Sequence, residues 1–221
     1  MTATLFVIPL WAELLAVIVG SLQGAMFAAG FRDRRLDLLG VAIIGVATGL
    51  GGGLLRDIFL VQTPVALKTD WYLPTAIAAA LLGMLLQSIF SRLSTAIMIL
   101  DALTIGIFGA IGTTKALALG LPVIPAVFVG VVSAVGGSFV RDLLLNLPIA
   151  MMHVGSLYAI AAGAGCIVLV VLVGFGVPIV WAAIVCAALT TLIRVLAVRF
   201  GWSLPEQRPL GRLPWPRRSR D

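Results

Sequence analysis

The sequence predicts an all-α polytopic membrane protein in which seven transmembrane helices form two inverted three-helix repeats plus a seventh helix. Three observations lead to this fold class. Hydrophobic residues make up 61% of the 221 positions and charged residues only 11%, whereas about a quarter of the residues in soluble domains are charged. The apolar residues fall into runs close to the length of a spanning helix, about 20 residues. A glycine-rich motif also occurs twice, once in each half of the chain.

Short segments of charged or turn-forming residues separate the apolar runs. The runs predict spans at 5–30, 37–61, 73–90, 95–119, 122–145, 155–174 and 177–199. Glu13 interrupts the first run and no basic segment precedes it, so we expect an uncleaved first helix rather than a signal peptide. The spans leave little chain for a soluble catalytic domain, and an enzyme is therefore not expected.

Patterns typical of enzymes and metal sites are weak in this sequence. The Gly51-Gly52-Gly53 run lacks the Lys-Ser/Thr that completes a phosphate-binding loop. His153 lies in a predicted loop, where we expect it at the surface. Cys166 and Cys186 lie in apolar runs without the clustering of a zinc site, and we expect free thiols. We therefore predict no cofactor and no metal.

Basic residues are concentrated on one side of the predicted membrane. The odd-numbered loops and the C-terminal tail carry Arg32, Arg34, Arg35, Arg92, Arg199, Arg208, Arg212, Arg217, Arg218 and Arg220. The even-numbered loops carry Lys68 alone. Because basic loops stay in the cytoplasm, we predict an outside N-terminus and a cytoplasmic C-terminus in the cell (inner) membrane. The net charge of +6 then indicates a tail near lipid headgroups, not a nucleic-acid partner.

The repeated motif extends over two helices in each half. Residues 49–60 match residues 134–145 through the pattern Gly-Gly-(Gly/Ser)-x-x-Arg-Asp. Each copy follows a helix with an acidic residue eleven positions before a glycine, Glu13 before Gly24 and Asp101 before Gly112. Three spans are an odd number, so the second repeat must enter the membrane upside down, as in many transporters. We assign the repeats to 1–91 and 92–174, the seventh helix to 175–200 and a basic cytoplasmic tail to 201–221.

The glycines of the motif allow two interpretations. Glycine weakens a helix, so the sequence predicts a break or kink at Gly51, Gly52, Gly53, Gly136 and Gly137. In a membrane, opened backbone is tolerated only beside protein or water, and these residues would then line a pathway. The alternative is close helix packing through small residues.

Ionisable residues inside the spans indicate where such a pathway runs, because charge at membrane depth is costly and usually faces the protein interior. The acids are Glu13, Asp57, Asp101 and Asp142, and the bases are Arg56, Lys115 and Arg141. We expect each arginine to meet an acid of the opposite repeat, with Glu13 and Asp101 as the candidates. Lys115 is the strongest candidate for a gate, since its counterpart in the first repeat is the apolar Phe27. The alternative is that the charges only hold the helices together.

Together, these motifs resemble the prokaryotic branch of the trimeric intracellular cation channel family, which is also catalogued as a glycine-transporter domain. The resemblance covers residues 9 to 199 and implies a homotrimer in which each subunit has its own pore for monovalent cations such as potassium. It also implies glycine kinks at Gly51, Gly52, Gly53, Gly136 and Gly137 and pore-associated bases at Arg56, Lys115 and Arg141. The permeant cation and bound membrane lipid are the expected ligands.

Three departures from the family pattern are visible. Ser138 replaces the third glycine of the second copy, Glu13 stands where most relatives have aspartate, and Lys115-Ala116-Leu117 replaces the Lys-Glu-Val of animal members. Bases beside a cation pore also repel the ion, so either backbone carbonyls coordinate it or the bases act as gates. A passive cation channel is our preferred function, with a glycine transporter as the alternative and a lipid-binding structural protein third.

Overall fold

A computed structural model of the chain describes residues 8–30, 36–90, 94–150 and 157–203. Their seven α-helices are α1 (Leu10–Gly30), α2 (Leu38–Phe59), α3 (Tyr72–Phe90), α4 (Ser94–Ala118), α5 (Val123–Leu144), α6 (Tyr158–Gly174) and α7 (Ile179–Phe200). A short 3-10 turn, Val65–Leu67, precedes α3. The all-α, seven-helix prediction is confirmed, and each helix ends within two residues of its predicted end.

The length and apolarity of the helices fit a bilayer. Five helices, α1, α2, α4, α5 and α7, contain apolar stretches of at least 21 residues, enough to cross the hydrocarbon layer of about 30 Å. The apolar stretches of α3 and α6 are shorter, at Tyr72–Gln87 and Tyr158–Gly174. Many large apolar side chains point outward from the bundle, while Glu13, Arg56, Asp57, Arg141, Asp142 and Arg194 are buried. This distribution is the reverse of a soluble protein and is that of a chain solvated by lipid.

Local signals set several helix ends. Asp37 caps α2 by accepting a hydrogen bond from the backbone nitrogen of Gly40 at 2.7 Å, which satisfies one of the free N–H groups at a helix start. Pro122 and Pro178 immediately precede α5 and α7, where a missing N–H costs nothing. Gly201 ends α7 with a φ of 66°, a left-handed conformation that favours glycine.

The two repeats meet where α2 crosses α5. A Cβ atom added at Gly52 would collide with the carbonyl oxygen of Ser133, and one added at Gly137 would collide with that of Thr48. A Cβ at Gly136 would lie 3.1 Å from the Cα of Gly52. The contacts are equivalent in the two directions, since positions 48 and 52 correspond to 133 and 137. The glycines therefore allow the backbones of the two repeats to touch.

The prediction of a break or kink at the glycines is wrong as to the break, and the kink stays a prediction. Helix α2 continues without interruption from Leu38 to Phe59, and α5 continues from Val123 to Leu144. Each glycine costs a helix about 1 kcal/mol relative to alanine, but backbone packing at the crossing offsets that cost and shields the helical hydrogen bonds. Ser138, at the position of the missing glycine, donates a hydrogen bond to the carbonyl oxygen of Val135 at 2.9 Å. The packing interpretation is the correct one for the helix crossing.

Some sequence predictions concern residues outside the described ranges. These residues are Arg32, Arg34, Arg35, Arg92, His153 and the tail arginines from Arg208 onward. Their one-sided placement stays a prediction from the sequence.

Candidate functional site

The first charge cluster lies where α2 ends, and consists of Glu13, Arg56, Asp57 and Lys115. Arg56 is 1% exposed and donates through Nε to Oδ1 of Asp57 at 2.8 Å and through Nη2 to Oδ2 at 3.2 Å. Its Nη2 also lies 3.5 Å from Oε1 of Glu13. Lys115 reaches the cluster from α4, and its Nζ donates to Oδ1 of Asp57 at 2.8 Å. Two acids and two bases thus neutralise one another in the protein interior.

Two groups from the segment after α2 complete the first cluster. The hydroxyl of Tyr72, at the start of α3, donates a hydrogen bond to Oε2 of Glu13. The backbone nitrogen of Val65 donates to Oδ2 of Asp57 at 2.8 Å. Asp57 therefore accepts bonds from a guanidinium, an ammonium and an amide, which is what a fully buried carboxylate needs in order to stay charged.

The second charge cluster consists of Asp101, Arg141, Asp142 and Arg194. Arg141 donates to Oδ1 of Asp142 from Nε at 3.0 Å and from Nη2 at 2.8 Å, while its Nη1 lies 3.8 Å from Oδ1 of Asp101. The hydroxyl of Tyr158 donates to Oδ1 of Asp101 at 2.9 Å. The second cluster therefore repeats the acid, arginine, aspartate and tyrosine of the first.

The correspondence includes the backbone as well as the side chains. Ala150 donates its N–H to Oδ2 of Asp142 at 2.9 Å, eight residues after the aspartate, just as Val65 follows Asp57 by eight. The repeat therefore encodes two copies of one arrangement, placed at opposite ends of the bundle by the inversion.

The expected pairing of each arginine with the opposite repeat is wrong. Arg56 pairs with Glu13 and Arg141 pairs with Asp101, in both cases within one repeat. Consecutive helices run antiparallel, so the start of α1 and the end of α2 lie at the same membrane depth. An acid from the other repeat lies at the far end of the bundle. The antiparallel geometry of the helical hairpin therefore determines which acid each arginine meets.

The contacts between repeats come from a different pair of positions. Lys115 of the second repeat binds Asp57 of the first, whereas the guanidinium of Arg141 lies over the ring of Phe27, 4.1 Å from its centroid. Phe27 and Lys115 are the equivalent residues noted in the sequence. One cluster therefore receives an ammonium from the opposite repeat, and the other receives an aromatic face, which also favours a neighbouring cation.

Arg194 on α7 is the site residue that the sequence interpretation missed. Its Nη2 lies 3.7 Å from Oδ2 of Asp101, and its guanidinium lies 4.4 Å from the ring centroid of Tyr158. Arg194 gives the second cluster the second base that Lys115 gives the first. A sequence signal was present, because Arg194 is an ionisable residue inside a predicted span. In the structure it is 8% exposed. The seventh helix is therefore part of the site as well as a packing element.

The tyrosines were also missed as site residues, although both follow the repeated motif at similar distances. Tyr72 follows the first copy's Asp57 by 15 residues, and Tyr158 follows the second copy's Asp142 by 16. Each donates its hydroxyl to the acid of the preceding helix pair.

Three cavities lie along the interior of the bundle. The first, of about 20 Å³, is lined by Glu13, Arg56, Tyr72, Gly53 and Phe108, among others. The largest of the three, of about 430 Å³, is lined by Asp101, Arg141, Asp142, Tyr158, Arg194 and Gln23. A small middle cavity of about 10 Å³ is lined by Gln23, Thr48, Asp101, Phe108, Gly137, Ser138 and Tyr158. Gly51, Gly52 and Gly136 lie instead in the helix crossing.

Comparisons with known proteins agree with this architecture. The sequence family described as glycine transporter matches residues 10–88 and 98–174. The inner membrane protein YadS of Escherichia coli K12 is 31% identical over 201 residues, which cover 88% of this chain and 94% of YadS. A solved structure from work on conductance through TRIC cation channels is 30% identical, with a TM-score of 0.79, and the match covers 92% of this chain and 98% of that one. The chain belongs to the TRIC channel family.

A second solved TRIC structure has the same fold. The trimeric intracellular cation channel orthologue from Rhodobacter sphaeroides is 26% identical, with a TM-score of 0.78, and the match covers 87% of this chain and 97% of that one. The family assignment made from the doubled motif is thus confirmed. The TRIC motif residues Arg56, Asp57, Arg141 and Asp142 all lie in the two charge clusters.

Proposed function

We propose that the protein is a channel for monovalent cations of the potassium type, with a pore within each subunit of a homotrimer in the cell membrane. The observation that carries this proposal is the pair of equivalent charge clusters at the two ends of one bundle, each of which lines a cavity. The structural relatives support it, because one is described through conductance by TRIC cation channels and another as a trimeric intracellular cation channel.

The positions of the cavities support a route within one subunit. The largest and the middle cavity share Gln23, Asp101 and Tyr158, and the middle and the first cavity share Phe108. This sharing of residues supports a proposed route from the second cluster to the first within one subunit. Hydroxyl, amide and carboxylate oxygens along it can replace part of the hydration shell of a cation.

The cavities at the two ends of the proposed route differ in size. The cavity at the second cluster has about 430 Å³ and the cavity at the first cluster only about 20 Å³. At the small end, Lys115 binds Asp57 at 2.8 Å, and Asp57 in turn binds Arg56, which lines the small cavity. We infer that Lys115 acts as a gate and that conduction requires its ammonium to leave Asp57. Arg56 and Arg141 hold the acids in place from within their own repeats.

Glycine transport is the second candidate, and the description of the sequence family favours it. Glycine is a zwitterion, so its carboxylate and ammonium would need a base and an acid close together. The largest cavity offers this combination through Arg141, Arg194 and Asp101. A transporter must, however, expose this site to both sides in turn, whereas a channel needs one continuous path.

The two candidates are separated by recording purified protein in planar bilayers with KCl and, in parallel, measuring counterflow of labelled glycine in proteoliposomes. We expect unitary potassium currents and no glycine counterflow. Counterflow of glycine without unitary currents would replace the channel by the transporter. Light scattering with correction for bound detergent should show three chains per particle, and a stable dimer would contradict the proposed homotrimer.

A further inference from the structure

Helices α1 and α4 carry equivalent stripes of residues along the route. On α4, Asp101, Phe108 and Lys115 are seven residues apart, which is about 10 Å along a helix at 1.5 Å per residue. On α1 the equivalent positions are Glu13, Gly20 and Phe27. The two helices run in opposite directions, so Lys115 lies at the level of Glu13 and Phe27 at the level of Asp101. Phe108 and Gly20 share the middle level.

Phe108 fills the middle level with its ring. The residue is 4% exposed. Its Cε2 lies 3.3 Å from the position of a Cβ added at Gly20, and its Cδ1 lies 3.4 Å from a Cβ added at Gly52. Ala16 and Ile111 pack against it. The equivalent position in the first repeat is a glycine, and that glycine leaves the room that the ring occupies.

We propose that Phe108 is the central hydrophobic barrier of the conduction route, an inference that rests on the proposed channel function. Phe108 is the one described residue that lines both the first and the middle cavity. An ion that passes between these cavities must therefore pass its ring.

The chemistry of the middle level explains why a phenyl group obstructs an ion. Gly20, Gly52, Ala16 and Ile111 pack against the ring and carry no side-chain oxygen. Thr48 and Thr104 line the middle cavity beside it, and both donate their hydroxyl hydrogens to carbonyl groups of their own helices. Narrow apolar constrictions exclude water and thereby block ions without filling the whole opening. Asp101 reaches the middle cavity and Glu13 reaches the first, so an ion meets a carboxylate on either side of the ring, and the ring itself separates the two.

The barrier differs in kind from the Lys115 gate. Lys115 opposes a cation by charge and is sensitive to ionic conditions, whereas Phe108 opposes any hydrated ion by excluding water. The pseudo-symmetry of the repeats is broken at this level by a single side chain. A second phenyl in place of Gly20 would overlap the Gly49 backbone, whose Cα lies 3.0 Å from a Cβ at position 20.

The test compares potassium efflux from proteoliposomes and unitary currents for the parent, Phe108→Asn and Phe108→Leu. The matched control is Phe175→Asn, because Phe175 is 83% exposed in the turn between α6 and α7. An amide lets water occupy the constriction, so Phe108→Asn should raise efflux by about tenfold or more. Phe108→Leu keeps the site apolar and should raise potassium efflux far less. Phe175→Asn should give the same efflux as the parent. If Phe108→Asn does not yield folded oligomer, Phe108→Ala takes its place.

Each outcome decides the question. Efflux through folded Phe108→Asn and Phe108→Ala that equals efflux through a conducting parent overturns the barrier and leaves the channel proposal intact. A silent parent with a conducting Phe108→Asn supports the barrier. If parent and variants are all folded and all silent, both the barrier and the proposed channel function are refuted. An equal increase for Phe108→Leu and Phe108→Asn would mean that ring size, not apolarity, matters, and would also overturn the proposal.

Discussion

Replacing Lys115 by methionine tests the proposed gate most directly. Methionine keeps the length of the side chain and removes the ammonium that binds Asp57 at 2.8 Å. At an effective dielectric constant near 20, two unit charges at that distance attract by roughly 6 kcal/mol, and desolvation of both groups offsets much of this. The net effect on stability is therefore much smaller than the attraction.

The expected loss of stability depends on the hydrogen bonds that Asp57 retains in the variant. Breaking a buried ion pair costs about 3–5 kcal/mol when it leaves a charge unpaired. After Lys115→Met, Asp57 still accepts bonds from Arg56 and from the backbone nitrogen of Val65, so we expect a loss of about 1–2 kcal/mol. Asp57→Asn removes the carboxylate that pairs with both Arg56 and Lys115, so it should lower the free energy of unfolding by more than Lys115→Met does.

The assay is potassium conductance in planar bilayers, with thermal unfolding in detergent measured on the same preparations. Lys115→Met should raise open probability because the positive charge at the narrow end is gone. Lys68→Met is the matched control, since Lys68 is exposed in the loop before α3, and it should conduct like the parent. The gate hypothesis is refuted if Lys115→Met yields a folded trimer whose open probability equals or falls below that of the parent.

Three further predictions concern the packing, the second cluster and the topology. Gly52→Ala should lower the melting temperature strongly, because its Cβ would collide with the α5 backbone. Gly174→Ala is the control, since nothing lies within 4 Å of the added Cβ, and it should leave the melting temperature unchanged. Equal melting temperatures for the two variants would contradict the close crossing. Arg194→Gln removes a base of the second cluster and should raise the cation current that enters from the wide end. If the currents in both directions equal those of the parent, Arg194 does not oppose cation entry. Reporter fusions at position 207 and in the loop 63–72 should lie on opposite sides of the membrane, and fusions that report one side would contradict the predicted orientation.

The seven spans could be predicted from the sequence because hydrophobicity along a helix is a local property. A run of about 20 apolar residues has few stable alternatives to a spanning helix in lipid, where every backbone polar group must find a partner within its own segment. The doubled motif was equally informative. Its two copies indicated two inverted repeats, and they carried the family assignment.

The pairing of the buried charges was harder to predict from the sequence. Glu13, Arg56, Asp101 and Arg141 were all identified as ionisable residues at membrane depth, but their assignment across repeats was wrong. The correct partners follow from helix direction, which places the start of one helix beside the end of the next. Arg194 was missed because its partner, Asp101, lies 93 positions away in the sequence and no repeat marks the position.

The sequence by itself determined the helices, the repeat and the identity of most of the buried charges, because each follows from composition or from a pattern within a short segment. Only the tertiary structure decided that the glycines pack two continuous helices together instead of breaking them. It also decided that α7 supplies a charge to the site and that Phe108 occupies the space left by Gly20. The same sequence pattern is found for glycines at a helix crossing and for glycines at a helix break, so the sequence could not distinguish the two. The partner of a residue across the bundle depends on how helices that are distant in sequence approach one another, which only the tertiary structure shows.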